Sequence, residues 1–165
     1  MKQKRFVVGT ILIALIGLSC TPKPVETNSE ADFLETKECF DCDLTGKDFA
    51  GVDLSGAKLN GSNLSGTNLE GANLEGALLD GVNFSDANLT DANLTTAALA
   101  STNFTGANLS NSNLTNAFLR NADFTGANLS QANFTDSDLN AATVEESQLK
   151  EANFQGAIMP DGTVK

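Results

Sequence analysis

The chain is predicted to wind into an all-β solenoid, a coil with four short sides per turn, and three observations predict it. A leucine or phenylalanine recurs at every fifth position from Leu44 to Met159, 24 units in one register, and only Val144 and Met159 depart from Leu or Phe. A small residue stands two places before most of them, as Ala72 before Leu74, Ala107 before Leu109 and Ala127 before Leu129. The exceptions to the pattern recur at multiples of 20. An internal repeat this long dictates architecture before any other feature does.

A spacing of five suits neither regular element. On an α-helix five steps leave successive leucines about 140° apart, so no stripe forms. On a straight strand an odd spacing sends them to opposite faces. All 24 share one core only if the chain turns a corner after each unit, with the large residue and the small one before it facing the axis. A narrow interior has no room for two large side chains per unit, hence the small partner. Glycine recurs at the corner from Gly46 to Gly81, where a turn favours Gly, Asn or Asp. Sorted by a period of 20, Phe84, Phe104 and Phe124 share one inward column, and Phe134 and Phe154 share another. The outward site before each leucine is normally Asn or Asp, yet Leu78, Ala98, Phe118 and Ile158 break that rule within a single column. That clustering selects four units per turn and about six coils, stacked at roughly 4.8 Å into a rod about 25–30 Å long. Outward columns such as Asn63, Asn83 and Asn103 are expected to hydrogen-bond along the rod, whereas Asn108 is expected to be replaceable at little cost.

Units such as Ala72-Asn73-Leu74-Glu75-Gly76 resemble the pentapeptide-repeat family, whose motif is A(D/N)Lxx. The resemblance covers Cys42 to Met159. It implies a right-handed quadrilateral parallel β-helix with short β-bridges on each side. Thr143 to Leu149 is the weakest stretch, and its register is expected to survive.

The N-terminus is of another kind. Lys2, Lys4 and Arg5 precede an apolar run from Phe6 to Leu18, then Ser19 and Cys20. The run is too short for a comfortable membrane span and has the layout of an export signal. Gly17-Leu18-Ser19-Cys20 resembles a bacterial lipobox, although Gly17 stands where leucine is usual. That resemblance implies cleavage before Cys20 and lipid attachment to it, giving an envelope-tethered protein. With no Asp at Thr21, it points to the outer membrane in a Gram-negative cell. The alternative is a plain signal or uncleaved anchor with a chance cysteine. The chain thus divides into a signal peptide 1–19, a lipid-anchored tether 20–29 containing Pro22 and Pro24, an N-terminal cap 30–41, the β-helix 42–161 and a tail 162–165. The cap is read as one or two helical turns over Ala31 to Lys37, opened by the capping-box pattern Ser29-Glu30-Ala31-Asp32. A lid there would cover the apolar end of a solenoid.

Cys39 and Cys42 have a spacing compatible with zinc, a redox centre or a disulfide. Zinc would need two more ligands, and the chain has no histidine. In an exported protein a small disulfide, or two thiols packed as small apolar residues, suits the pair better. No metal or cofactor is expected.

Removing Lys2, Lys4 and Arg5 takes the formal charge from −11 to −14. Such a surface argues against direct contact with nucleic acid or anionic headgroups, leaving the lipid as the membrane contact. Without histidine, the commonest general base is missing. Asp136 with Asp138, and Glu145 with Glu146, are close in sequence but fall on flat or convex faces, so catalysis is not expected. The calcium-binding nonapeptide of other β-helices is absent. Two binding functions remain. One is an envelope-tethered interaction module using Leu78, Ala98, Phe118 and Ile158 for an unknown protein partner or for self-association. The other, implied by the family resemblance, is an acidic DNA-mimicking rod that binds a type II topoisomerase. Export, and the few residues after Met159, weigh against the second.

Overall fold

The structure, a computed structural model, describes residues 30–165. The expected signal peptide, the candidate lipid-attachment residue Cys20 and the expected tether therefore lie outside the described residues. A short helix, α1 (Glu30–Thr36), leads into a continuous coil. Each side of the coil pairs in parallel with the side 20 residues later: Asp43 with Asn63, Asn63 with Asn83, Asn83 with Asn103. Four five-residue sides therefore close one turn, and the rod is a four-sided parallel β-helix.

The unit Asn73 to Ala77 shows why this sequence closes on itself, because each of its five amides has an acceptor. Asn73 N–H donates to Val52 O in the coil before (3.0 Å), while Leu74 N–H and Gly76 N–H donate to Asn93 O and Thr95 O in the coil after (2.7 and 2.9 Å). Ala77 N–H turns the corner onto Leu74 O (3.1 Å). The remaining amide, of Glu75, donates to the Asn73 side chain (3.2 Å). A side chain with a carbonyl-like oxygen is thus needed at the outward site to complete the set, the bonding of an Asx turn.

The core is a column of the repeating Leu and Phe side chains, with Leu54 through Leu139 fully buried. Each such leucine or phenylalanine contributes about 1.5–3 kcal/mol. Phe84, Phe104 and Phe124 stack with ring centroids 5.4 and 4.9 Å apart. Phe134 meets Phe124 edge-on and stacks on Phe154 at 4.8 Å. Small inward residues include Thr67, Ser112 and Ser137, whose hydroxyls donate to the carbonyls of Leu64, Leu109 and Phe134 three residues before. Phe33 of α1, 1% exposed, packs edge-on against Phe49 (5.8 Å) and plugs the first coil. At the other end residues 162–165 form a strap: Val164 bridges Ile158 in antiparallel sense, and Lys165 N–H donates to Ala157 O (3.0 Å).

The stretch from Val144 to Glu151 departs from the expected register. Leu149, in phase by sequence, is only partly buried, and Gln148, the first residue of a 3-10 turn (Gln148–Lys150), is buried in its stead. The reason is a substitution of side chain for backbone. Gln148 Nε2 donates to Ala127 O (2.7 Å), where a regular coil would offer residue 148's own backbone amide, and also to Phe124 O (2.9 Å). Glu145 Oε1 likewise receives Gly126 N–H (3.0 Å). Pairing resumes at Asn153 with Asn133.

Corners change character along the rod. Glycine holds the left-handed conformation at each corner from Gly46 to Gly81, but from Asp86 onward most corners carry side chains, Thr96 (φ 57°) and Ala141 (φ 60°) among them. At Gly106 an added Cβ would meet the Asp86 carboxylate of the preceding coil, which would have to turn aside.

Candidate interaction face

Three of the four faces carry the same outward chemistry. Asn83 and Asn103 donate their side-chain amides to Asn63 and Asn83, both at 3.0 Å. A second ladder begins with Asn68 donating to Asp48 (2.9 Å), and a third with Asn73 donating to Asp53 (3.2 Å). All donations run toward the N-terminal end. The first rung has no rung before it to donate to, and aspartate, an acceptor only, stands there. Asn108, expected to be replaceable, accepts from Ser110 N–H and Asn128 Nδ2 and donates to Thr90 Oγ1 (2.8 Å).

Aspartates in these columns are held ionised by their local partners. The Thr45 and Thr125 hydroxyls, then the amides of the same residues, lower Asp43 and Asp123. Ser55, then Lys37, pushes Asp53 down to about 2.

The fourth face is different. Its central column runs Glu38, Lys58, Leu78, Ala98, Phe118, Asp138, Ile158, linked by successive parallel bridges. Leu78 is 41% and Phe118 57% exposed, with Ala98 half-buried between them. None of these three side chains can accept the amide two residues on, so the bonding that completes the other sides is given up here. Ala100 N–H finds a replacement in Asp80 Oδ1 from the coil before (2.8 Å). The patch is bounded by charge. Lys58 pairs with Glu38 (2.7 Å) at one end, and Arg120 Nε with Asp138 (2.6 Å) at the other. Ile158 lies on the same face but apart from the patch, beyond Asp138 and half-buried where Val164 pairs with it.

The other candidate residues are placed as follows. Cys39 and Cys42 form a disulfide. The Ser62 hydroxyl donates to Cys39 O (2.8 Å) and accepts Cys42 N–H (3.0 Å), fixing the bridge to the second coil. Asp136 takes a left-handed corner, and Glu146 lies 3.8 Å from Lys150. Among the described residues no three His, Cys, Asp or Glu side chains form a group able to hold a metal. Cys20 lies outside the described residues.

The family model for pentapeptide repeats matches residues 39–71, 67–106, 102–140 and 127–161. The chain is a pentapeptide-repeat protein. A solved pentapeptide-repeat protein of the Arabidopsis thaliana thylakoid lumen is 32% identical, with 75% of this chain and 84% of that one covered at a TM-score of 0.59. QnrB1, a plasmid-mediated fluoroquinolone resistance protein, is 21% identical over 74% of this chain and 72% of its own, at a TM-score of 0.56. No curated protein matches the chain. Like its family, the pentapeptide-repeat rod is a right-handed quadrilateral β-helix. Proteins of this kind are generally non-catalytic modules for structure and interaction. Sequence reasoning located the apolar column by its shared phase. The Asp80 and Arg120 charges beside it escaped notice, because only the coil geometry brings residues 18 and 20 apart to one border.

Proposed function

We propose that this rod is a non-catalytic interaction module, exported and held at a bacterial envelope by lipid on Cys20, that engages a protein through the fourth face. One observation carries the reading. Leu78 and Phe118 stand exposed on the one face where the rod forgoes its side-chain ladder. A local rule broken without structural gain is the expected mark of a functional surface. Leu78→Lys with Phe118→Glu is the test. The double variant is expected to melt like the wild type but to lose its protein partner in a pull-down from membranes. Unfolding would assign the two side chains to packing, and a folded variant keeping its partners would move the surface elsewhere.

The address is tested separately. Mass spectrometry of the membrane fraction is expected to find an acylated N-terminus at Cys20, lost in Cys20→Ser. An intact Met1 start in the cytosol would reject it and favour the second reading, an acidic DNA mimic acting on a type II topoisomerase, for which the formal charge of −11 is the support.

A further inference from the structure

We infer that the occupant of the fourth face is a second copy of this chain, docked antiparallel. The inference rests on the reading above that this face is a binding surface. Its support is the order of charge along the face. Taking Ala98 as centre, one coil toward the N-terminus lie Leu78 and the exposed Asp80, and one coil toward the C-terminus lie Phe118 and the exposed Arg120. Two coils out lie Lys58 on one side and Asp138 on the other. Charge is thus antisymmetric about Ala98, while apolar bulk is symmetric.

A two-fold axis lying in the interface across the rod, at the level of Ala98, reverses the coil order. It sets Leu78 against Phe118 of the second copy, and Ala98 against its own equivalent. Asp80 and Arg120 occupy the same border of the face, two residues after its central column, so each Asp80 meets the other copy's Arg120. Lys58 and the largely covered Asp138, each already paired within its own chain, face each other across the contact and add little to it. Such an isologous contact is self-complementary, as a closed dimer requires. Parallel rods, related by a two-fold axis along their length, would instead lay Lys58 on Lys58 and Asp138 on Asp138, which like charges oppose, and would turn the border carrying Asp80 and Arg120 away from its equivalent, so that their pairing is lost. The stretch from Lys58 to Asp138 spans four coil steps, about 19 Å, by about 10 Å across. It offers a few hundred Å² per copy against the roughly 800 Å² of a standard interface, so the dimer is weak.

The experiment is sedimentation equilibrium of the full chain in mild detergent up to about 1 mM, with charge reversals. Asp80→Arg alone and Arg120→Asp alone each place like charges at two points of the interface, and each is expected to raise the dimer Kd about tenfold. Carrying both reversals in one chain, which restores opposite charges across the antiparallel contact, is expected to return Kd to the wild-type value. A wild-type chain monomeric at 1 mM overturns the inference. If such a monomer still captures another protein that Leu78→Lys with Phe118→Glu releases, the broader reading stands and only self-association falls. A dimer indifferent to both single reversals also overturns it, since another surface would then be responsible. Single reversals that weaken the dimer without rescue by the double one reject the antiparallel geometry.

Discussion

The Asn-bearing faces and the apolar face are built from the same five-residue unit on the same coil, and they differ at one position in each side. Where that position is Asn or Asp, the side chain completes the backbone bonding of its own side, and an Asn such as Asn93 also clasps the side below. Where it is Leu78, Ala98 or Phe118, neither happens. The backbone nevertheless continues through the apolar face without change, Leu99 N–H still reaching Phe118 O at 2.8 Å. Inward side chains and backbone pairing therefore suffice to hold the coil, and the outward column is free to specialise. Such a division between a supporting interior and a variable exterior is what repeat architectures offer.

That division has consequences of decreasing size. Leu99, fully buried directly behind the apolar face, is the severe case. Leu99→Asp puts an unpaired carboxylate in the core and is expected to cost several kcal/mol, abolishing cooperative thermal unfolding. A wild-type melting curve for this variant would refute the assigned register.

Next comes the ladder itself. Asn93 accepts Thr95 N–H and donates to Asn73 (3.0 Å), so Asn93→Leu, which copies the fourth face onto a laddered one, is expected to lose about 1–3 kcal/mol in chemical denaturation. The reverse graft, Phe118→Asn, provides an acceptor for Arg120 N–H and is expected to change stability by less than about 1 kcal/mol, in the stabilising direction. A large loss from Phe118→Asn would show the aromatic ring to be structural.

The smallest effect is on pH dependence. Asp43, Asp53 and Asp123 have lowered folded pKa values through hydroxyl and amide donors. A depressed carboxylate contributes stability above its unfolded pKa, near 4, which is lost as pH falls through the folded value. The melting temperature is thus expected to drop as the pH is lowered from about 4 to 2, and less so in Asp53→Asn. An identical acid profile for that variant would remove Asp53 from the account.

Much of this was legible in the sequence because a solenoid writes each spatial neighbour at a fixed interval. The phase of Phe84, Phe104 and Phe124 announced a stack that the structure shows with near-parallel rings. What escaped were cases in which one chemical group stands in for another. Leu149 has the right phase, yet nothing in residue order says that Gln148 will use its own carboxamide as a backbone amide. Asn108 looked like one polar surface residue among many, because a hydrogen bond across 20 residues is invisible until the coil is closed. Corner strain was hidden likewise. Thr96 adopts a conformation that a β-branched residue resists, held there by the coils on either side.

The offset of 20 between bridged residues also sets how such a gene can lengthen. Duplicating or deleting 20 residues inserts or removes one whole storey and leaves every outward column where it was. Duplicating five residues keeps the interior intact, since each large side chain still points inward. It rotates everything downstream by a quarter turn, however, and would set Phe118 on a different wall from Leu78. The fold tolerates a frame of five, while a binding surface shared between storeys tolerates only a frame of twenty. Growth of the lineage by single units would scatter its surfaces, and growth by fours would preserve them.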